Sequence, residues 1–400
     1  MSAVGCDSAS VYEDCTPDPQ NSGTERCVPS TFNTEDRGAR QSAGIVSMDL
    51  ERQENVRVAM NDDATTTDVG GFYRFPNTPF RYDVSARLEK DVIAFNSVAK
   101  RFMDLAVERR GPMRAYVGKV ALTVPVAPRP GNALAFFATG PDVIDVSGTI
   151  ETGLEVQTRQ FDNDQVVLHV VEYPIDKGLA GAVAKGRSRI RVRAGEIMPA
   201  VVPLEPVLET KISMFHANPE PPPGFVLEEL EILLDFGSRL SQRFVTKVPY
   251  DTKFGLPYMK GAGWTVSGKA TRSDGAIASI GLRLFTPGDT TDLALYAPPA
   301  NDRNEGTILF ATSAQGKGVF EHILTPSKGN ADNRVIHVIS ATQQAHIPDL
   351  TKLDLPAAKG EYTWTVRLFP DYTEVEQMSG ADSRLFSSSS TSVPKTIVLP

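Results

Sequence analysis

The chain is poor in the residues on which most catalytic and cofactor sites depend. It has three cysteines, Cys6, Cys15 and Cys27, all near the start, and none follows. Beyond that end there is no thiol to serve as a nucleophile. The five histidines, His169, His216, His322, His337 and His346, are far apart and show no H-x-x-H or H-E-x-x-H spacing. No G-x-S-x-G elbow occurs. No apolar run reaches the roughly 18 residues of a membrane-spanning helix. Basic charge is also lacking. The net charge is -8, which speaks against nucleic acid as a partner, because phosphate binding needs a basic surface. No metal and no cofactor is expected.

What is present is turn chemistry and alternation. The 400 residues include 31 glycines and 29 prolines, which suit many strand ends and few long helices. A chain of this length is expected to divide into several domains. Its most diagnostic stretch is Thr65 to Leu88, TTTDVGGFYRFPNTPFRYDVSARL. Asp68-Val69-Gly70-Gly71 forms a turn ahead of the aromatic Phe72-Tyr73-Arg74-Phe75 strand. Tyr82, Val84, Ala86 and Leu88 then alternate with Arg81, Asp83, Ser85 and Arg87, giving one apolar and one wet face. The expected fold class is all-β: several β-sandwich domains in series after a disordered N-terminal tail, resembling Ig-like or transthyretin-like sandwiches.

The opening Gly44-Ile45-Val46, the Val56-Arg57-Val58 strand, Thr66-Thr67-Asp68 with Gly71 and Tyr73, and Tyr82-Asp83-Val84 with Ala86 resemble the carboxypeptidase regulatory-like domain. That resemblance covers about 44–107 and implies an accessory or binding sandwich without catalytic residues. Pro79-Phe80-Arg81 departs from the usual Pro-Pro-Gly. The domains expected are a tether over 1–40 and sandwiches over 41–112 and 113–210. A Pro-rich linker, Asn218 to Gly224, with a third β-rich domain follows over 211–306, and a last sandwich over 307–400. Within the third, Leu227, Leu230, Leu233/Leu234 and Leu240 recur at roughly helical spacing, which predicts a helix over Phe225 to Phe244, a pair of strands being the alternative. In the last, Tyr362, Trp364, Val366 and Leu368 form one buried face, and the unit resembles a fibronectin type III sandwich.

Residues 1–40 hold seven acids against three arginines and almost no apolar pattern, as expected of a disordered tether. Ala3-Val4-Gly5-Cys6 resembles a bacterial lipobox, which implies lipidation of Cys6. Ala3 stands where leucine is usual, and the charged and apolar parts of a signal peptide would have to lie upstream of Met1. Cys15 and Cys27 then remain as a pair able to close a disulfide loop in an oxidising compartment. The alternative is a cytosolic tail with three free thiols.

Three further patterns carry candidate chemistry. Gly263 to Ala270 comes within one residue of a phosphate-binding loop, yet Ala270 offers no hydroxyl and a turn, not a helix, follows. Asn61-Asp62-Asp63 and Asp162-Asn163-Asp164 could offer oxygens to calcium, but turn chemistry explains them better. Lys185, Arg187, Arg189, Arg191 and Arg193 fall on alternate residues, so in a strand they form a basic ridge for a polyanion. A solvated face with Glu151, Glu155 or Glu172 as cross-strand partners is the plainer explanation. The expected role is that of a non-enzymatic lipoprotein of the bacterial envelope (outer membrane or periplasm). Held by its lipid anchor, it would act in adhesion, scaffolding or the binding of a glycan or envelope protein. The alternative is a carbohydrate-active or peptidase accessory protein, or such an enzyme, with an unrecognised carboxylate pair.

Overall fold

The alternation along Tyr82–Leu88 is realised as anticipated. Tyr82, Val84, Ala86 and Leu88 are all buried, while Asp83 and Arg87 face solvent. Ser85 departs from the pattern. It is buried too, because the expected wet face is covered by chain from the C-terminal end. The computed structural model describes residues 13–17, 25–29, 40–48, 51–89, 91–107, 115–140, 143–236, 242–284, 286–330, 333–379 and 387–400. Among them the regular elements are strands and short 3-10 turns, with no α-helix.

The fold is all-β, and four sandwich units follow one another along the chain. In the first, Arg40–Met48 pairs with Phe72–Thr78, Glu51–Arg52 and Leu105–Val107, and this layer covers Arg57–Met60, Asp63–Thr66, Tyr82–Leu88 and Asp91–Val98. The second stacks the sheet Val143–Thr149, Gly153–Thr158, Tyr116–Thr123, Ile197–Val201 on Asn132–Thr139, Asp162–Pro174, Ala184–Arg193, Glu205–Pro206. The third sets Phe254–Pro257, Thr210–Ala217 and Asp289–Leu293 against Arg243–Val248, Leu230–Asp235, Gly263–Thr271 and Ile277–Leu284. The last sets Ala300–Glu305, Ile308–Thr312 and Gln344–His346 against Ser389–Thr391, Gly360–Phe369, Val319–Pro326 and Val335–Ser340.

Two local readings need correction. In its described residues Phe225 to Phe244 forms strands, the alternative reading, and not a helix. Leu230, Ile232, Leu234 and Phe236 are buried at every second position, and Leu230–Asp235 pairs on both edges with Arg243–Val248 and Gly263–Thr271. Tertiary pairing has selected the period of two over the period near 3.6. The Pro-rich Asn218 to Gly224 stretch does not separate units. It joins Thr210–Ala217 to Val226–Leu227, on the two layers of the third unit. In the segment expected to be a tether, Glu13–Pro17 and Glu25–Pro29 pair antiparallel; the remainder lies outside the described residues, apart from Arg40, which opens the first unit.

The units do not hang as separate beads. One 14-stranded sheet runs through the first, third and last units. Its joints are a parallel pairing of Asp91–Phe95 with Val335–Ile339 and a short antiparallel pairing of Ile277–Ser279 with Ser389–Thr391. The second unit joins by its core. Phe137, Val171, Leu179 and Ala182 belong to the same buried cluster as Phe215, Phe236 and Trp264 of the third.

Side chains of the Thr65–Leu88 stretch explain its residue choice. Thr67 Oγ1 donates to the Gln53 carbonyl at 2.6 Å and accepts from Val56 N at 2.9 Å. Asp68 Oδ1 accepts from Gly70 N and Phe72 N at 2.8 and 3.0 Å, closing the turn. Tyr73 donates its hydroxyl to the Met103 carbonyl at 2.6 Å, directly over Gly44. A Cβ at Gly44 would lie 1.9 Å from that carbonyl oxygen, so only glycine permits the approach. The motif is structural.

Candidate functional site

The strand Ala184–Arg193 carries the alternating cations on one face, and their surroundings divide them. Arg191 Nε and Arg193 Nη2 both donate to the Asp162 carboxylate, at 2.7 and 3.0 Å. Arg193 also reaches Glu196 at 3.1 Å. The Arg191 hydrogen bond, followed by the neighbouring positive charge, holds Asp162 down at about 2. Lys185 Nζ donates to the Lys260 carbonyl in the third unit, and burial lowers its pKa, assisted by Arg187. Arg187 and Arg189 remain exposed, with Arg189 Nε 3.3 Å from the Asp164 carbonyl. The partners expected for the ridge are occupied elsewhere. Glu155 pairs with Lys119 at 3.8 Å, Glu172 accepts from Arg129 N and Asn132 Nδ2, and Glu151 bonds Thr149.

The ridge is therefore the rim of a junction. His169 lies opposite Arg187 in register, and Val171 lies opposite Lys185. The His169 ring stacks on Phe236 of the third unit with centroids 4.3 Å apart, and its Nε2 is 3.0 Å from Thr139 Oγ1. Burial, then Arg187 and Lys185, push His169 down to about 4, so it is neutral at pH 7. Arg243 of the third unit closes the other side through Asp145 at 2.6 Å and the Val146 carbonyl at 3.0 Å. Two of the five cations are neutralised, one is spent on the junction, and Arg187 and Arg189 are left as exposed charge.

The remaining histidines are dispersed. His337 Nδ1 lies 3.0 Å from Glu321 Oε1, and Glu321 Oε2 lies 3.6 Å from Arg367, a row across three adjacent strands. His322 is fully buried on the opposite face against Trp364. His216 meets Asp251, and His346 contacts Gln344. Among the described residues no three His, Cys, Asp or Glu side chains are grouped to hold a metal. Oxygens of the two Asp/Asn turns are taken by groups of the protein itself. Asn61 Oδ1 accepts from Asp83 N, Asp62 pairs with Lys352, and Asn163 Oδ1 accepts from Gln165 N. Gly263–Thr271, which resembled a phosphate loop, is a central strand.

A crevice of about 160 Å³ lies between the first and last units, lined in part by Asp83, Asn96, His346, Asp349 and Lys352. None of its lining residues is Phe, Tyr or Trp. Its two carboxylates brace loops: Asp83 Oδ1 accepts from Ser97 N at 2.7 Å, and Asp349 Oδ1 from Thr351 N and Oγ1 at 3.1 and 2.7 Å. The Thr351 hydrogen bonds lower the Asp349 pKa, the opposite of what a general acid needs. What the crevice shows instead is a clasp. Asn96 accepts from the backbone N of His346 at 2.8 Å and donates to its carbonyl at 3.3 Å, as an extra ladder rung would. Lys352 Nζ reaches the Asn61 carbonyl at 2.8 Å and Asp62 at 2.7 Å. Nothing in the sequence flags Asn96 or Lys352, because each is an isolated polar residue until the first unit meets the last.

Cys6 lies outside the described residues. Cys15 and Cys27 are directly opposed in the register of their two strands. Pro17 and Pro29 fall in the same phase of that ladder. Proline has no N–H to give, so this phase suits the non-hydrogen-bonded pairs, whose Cα atoms approach to about 4.5 Å.

No protein-family model matches the chain, and no curated protein matches it. Among solved structures, "The Bacillus anthracis TIE protein" aligns at 14% identity and a TM-score of 0.16, over 64% of this chain and 50% of that one. The chain thus spans half the length of that structure. A structure titled "Ca2+-stabilized adhesin helps an Antarctic bacterium reach out and bind ice" aligns at 8% identity and a TM-score of 0.16, over 90% and 99%. Protocadherin Gamma B2 extracellular cadherin domains 3-6 align at 9% and 0.12, over 89% and 97%. At such TM-scores neither a shared arrangement nor a role passes from these proteins to this one.

Proposed function

We propose that the chain is a non-enzymatic envelope protein that holds a rigid β-sandwich platform at a membrane surface, in adhesion or scaffolding. The observation that carries this reading is the fusion of the four units. Shared cores and a sheet crossing three units make a stiff body, where a flexible linker would leave the domains to move independently. The acidic N-terminal stretch with Cys6 serves as its anchor. The register that opposes Cys15 to Cys27 supports a disulfide between them, since such a pair lies within reach of the bond. Cys6 is then the odd thiol, free to take lipid. The test is fractionation of native cells with and without Cys6→Ala. Membrane association of the wild type, lipid mass on the Cys6 peptide, and release of the variant into the soluble fraction are expected. An unmodified Cys6 in a soluble wild-type protein overturns the reading.

A further inference from the structure

We infer that the first unit is held to the last as a strand-complementing subunit, so that the body stays whole when the chain is cut between Val107 and Ala115. The argument begins at the parallel pairing of Asp91–Phe95 with Val335–Ile339. Val335–Ser340 would otherwise be an edge strand of the last unit. An edge exposes a row of unpaired N–H and C=O groups, and a strand supplied from elsewhere satisfies them. Asp91–Val98 supplies it across more than two hundred residues of sequence.

Both faces of the joint are sealed by side chains. On one face Phe95, Val98 and Met103 of the first unit share a core with Phe369, Val375 and Met378 of the last. On the other, Ala59, Val92 and Ala94 pack in the cluster that holds Leu350, Leu353 and Trp364. The small Ala59 and Ala94 face the last unit's 346–352 segment across the crevice. A sequence reading of the first unit alone would place these residues toward solvent.

Directional bonds fix the register of the joint. The buried Glu376 carboxylate accepts from Ala99 N and Lys100 N, the latter at 3.0 Å. Asp104 N donates to Ser379 Oγ at 2.9 Å. Arg57 Nε donates to the Lys352 carbonyl at 3.3 Å and lies 3.5 Å from Asp354. With Asn96 on the His346 backbone, the contacts hold the first unit at its sheet edge, at residues 99–104 and at Arg57. A domain of about 65 residues buries little surface alone and is marginal by itself. Here its missing surface is supplied by the last unit, which is the character of an obligate interface.

The experiment inserts a glycine-flanked protease recognition sequence between Val107 and Ala115 in the full chain and cuts it, with denaturing electrophoresis confirming two fragments. Size exclusion under native conditions should return both fragments in one peak at the volume of the uncut protein, still together after tenfold dilution. The amides of Val92 and Ala94, which point away from Tyr82–Leu88 and into the joint, should keep their hydrogen-exchange protection within about threefold. Two separated peaks, or loss of that protection on cutting, overturns the inference. In the cut protein, Asn96→Ala with Glu376→Ala should weaken retention at least tenfold, while the uncut double variant keeps its elution volume. Equal retention with and without these side chains would remove the clasp from the account.

Discussion

His322 has no exposed surface, its ring lies parallel to Trp364 at 5.8 Å, and neither ring nitrogen has a hydrogen-bond partner within the described residues. Burial pushes its pKa down to about 3, partly countered by Glu321, and His169 sits at about 4 for the reasons given. In the unfolded chain both titrate near 6.5. Between these values the unfolded state binds more protons, so stability is full above pH 6.5 and falls as the pH drops. The loss is up to about 1.4 kcal/mol per pH unit per histidine, and for His322 it runs down to about pH 3. His322→Phe should stay within about 1 kcal/mol of wild type at pH 7, because no native hydrogen bond is lost. It should flatten the decline in urea midpoint between pH 6 and pH 4. An unchanged decline would mean that His322 takes up protons in the folded state. At this scale the sequence was informative about type and not about role. Gly44, Thr67 and Asp68 could be singled out as a motif, but their tasks depend on Met103, Gln53 and Phe72 being in place.

At the scale of elements, alternation made most strands legible. The cation ridge occupies the strand and face its spacing indicates, yet its meaning was not legible, since Asp162, Glu196 and Lys260 arrive from other elements. Phe225 to Phe244 was ambiguous because leucine fits both periods, and the choice lay in two neighbouring strands. Proline offers a sharper case. Among the described residues Ile197–Val201 ends its sheet, paired in parallel with Tyr116–Thr123 only. Lys119 N donates to the Glu196 carbonyl and Val202 N to the Thr123 carbonyl. Even-numbered residues therefore turn their backbone groups inward, and Ile197, Pro199 and Val201 turn theirs to the open edge. Ile197 and Val201 also expose their side chains. Pro199 removes the middle donor from an otherwise apolar edge, a guard against strand addition. Pro199→Val should restore the donor and produce concentration-dependent self-association in light scattering, with monomer stability changed by less than about 1 kcal/mol. A variant that stays monomeric at every concentration would show that the edge is protected in another way.

For the whole molecule, the all-β class was legible and adjacency was not. Turn spacing suggests three or four sandwich modules in series, but nothing local tells that the first unit touches the last or that the second shares a core with the third. The seams differ in strength. First and last units share cores on both faces of one sheet, and second and third units share the Phe137–Phe236 contact at 4.8 Å with His169 against it. Between third and last units the ladder has three residue pairs, with Ser279 and Ser389 hydroxyls 2.8 Å apart. Within the one continuous body, this arrangement predicts two parts that unfold cooperatively, meeting at the shortest of the three seams. The two tryptophans report on them separately, Trp264 in the third unit and Trp364 in the last, both buried. Phe137 is fully buried in the second unit, and Phe137→Ala should cost about 3–5 kcal/mol. With each tryptophan replaced in turn by phenylalanine, Phe137→Ala should lower the urea midpoint read by Trp264, one unit away from the substitution, and leave the Trp364 midpoint in place. If Trp264 does not respond, the second and third units fold independently despite their shared core. If both tryptophans respond equally, the three-pair seam transmits as much as the shared cores do, and the molecule unfolds as one body.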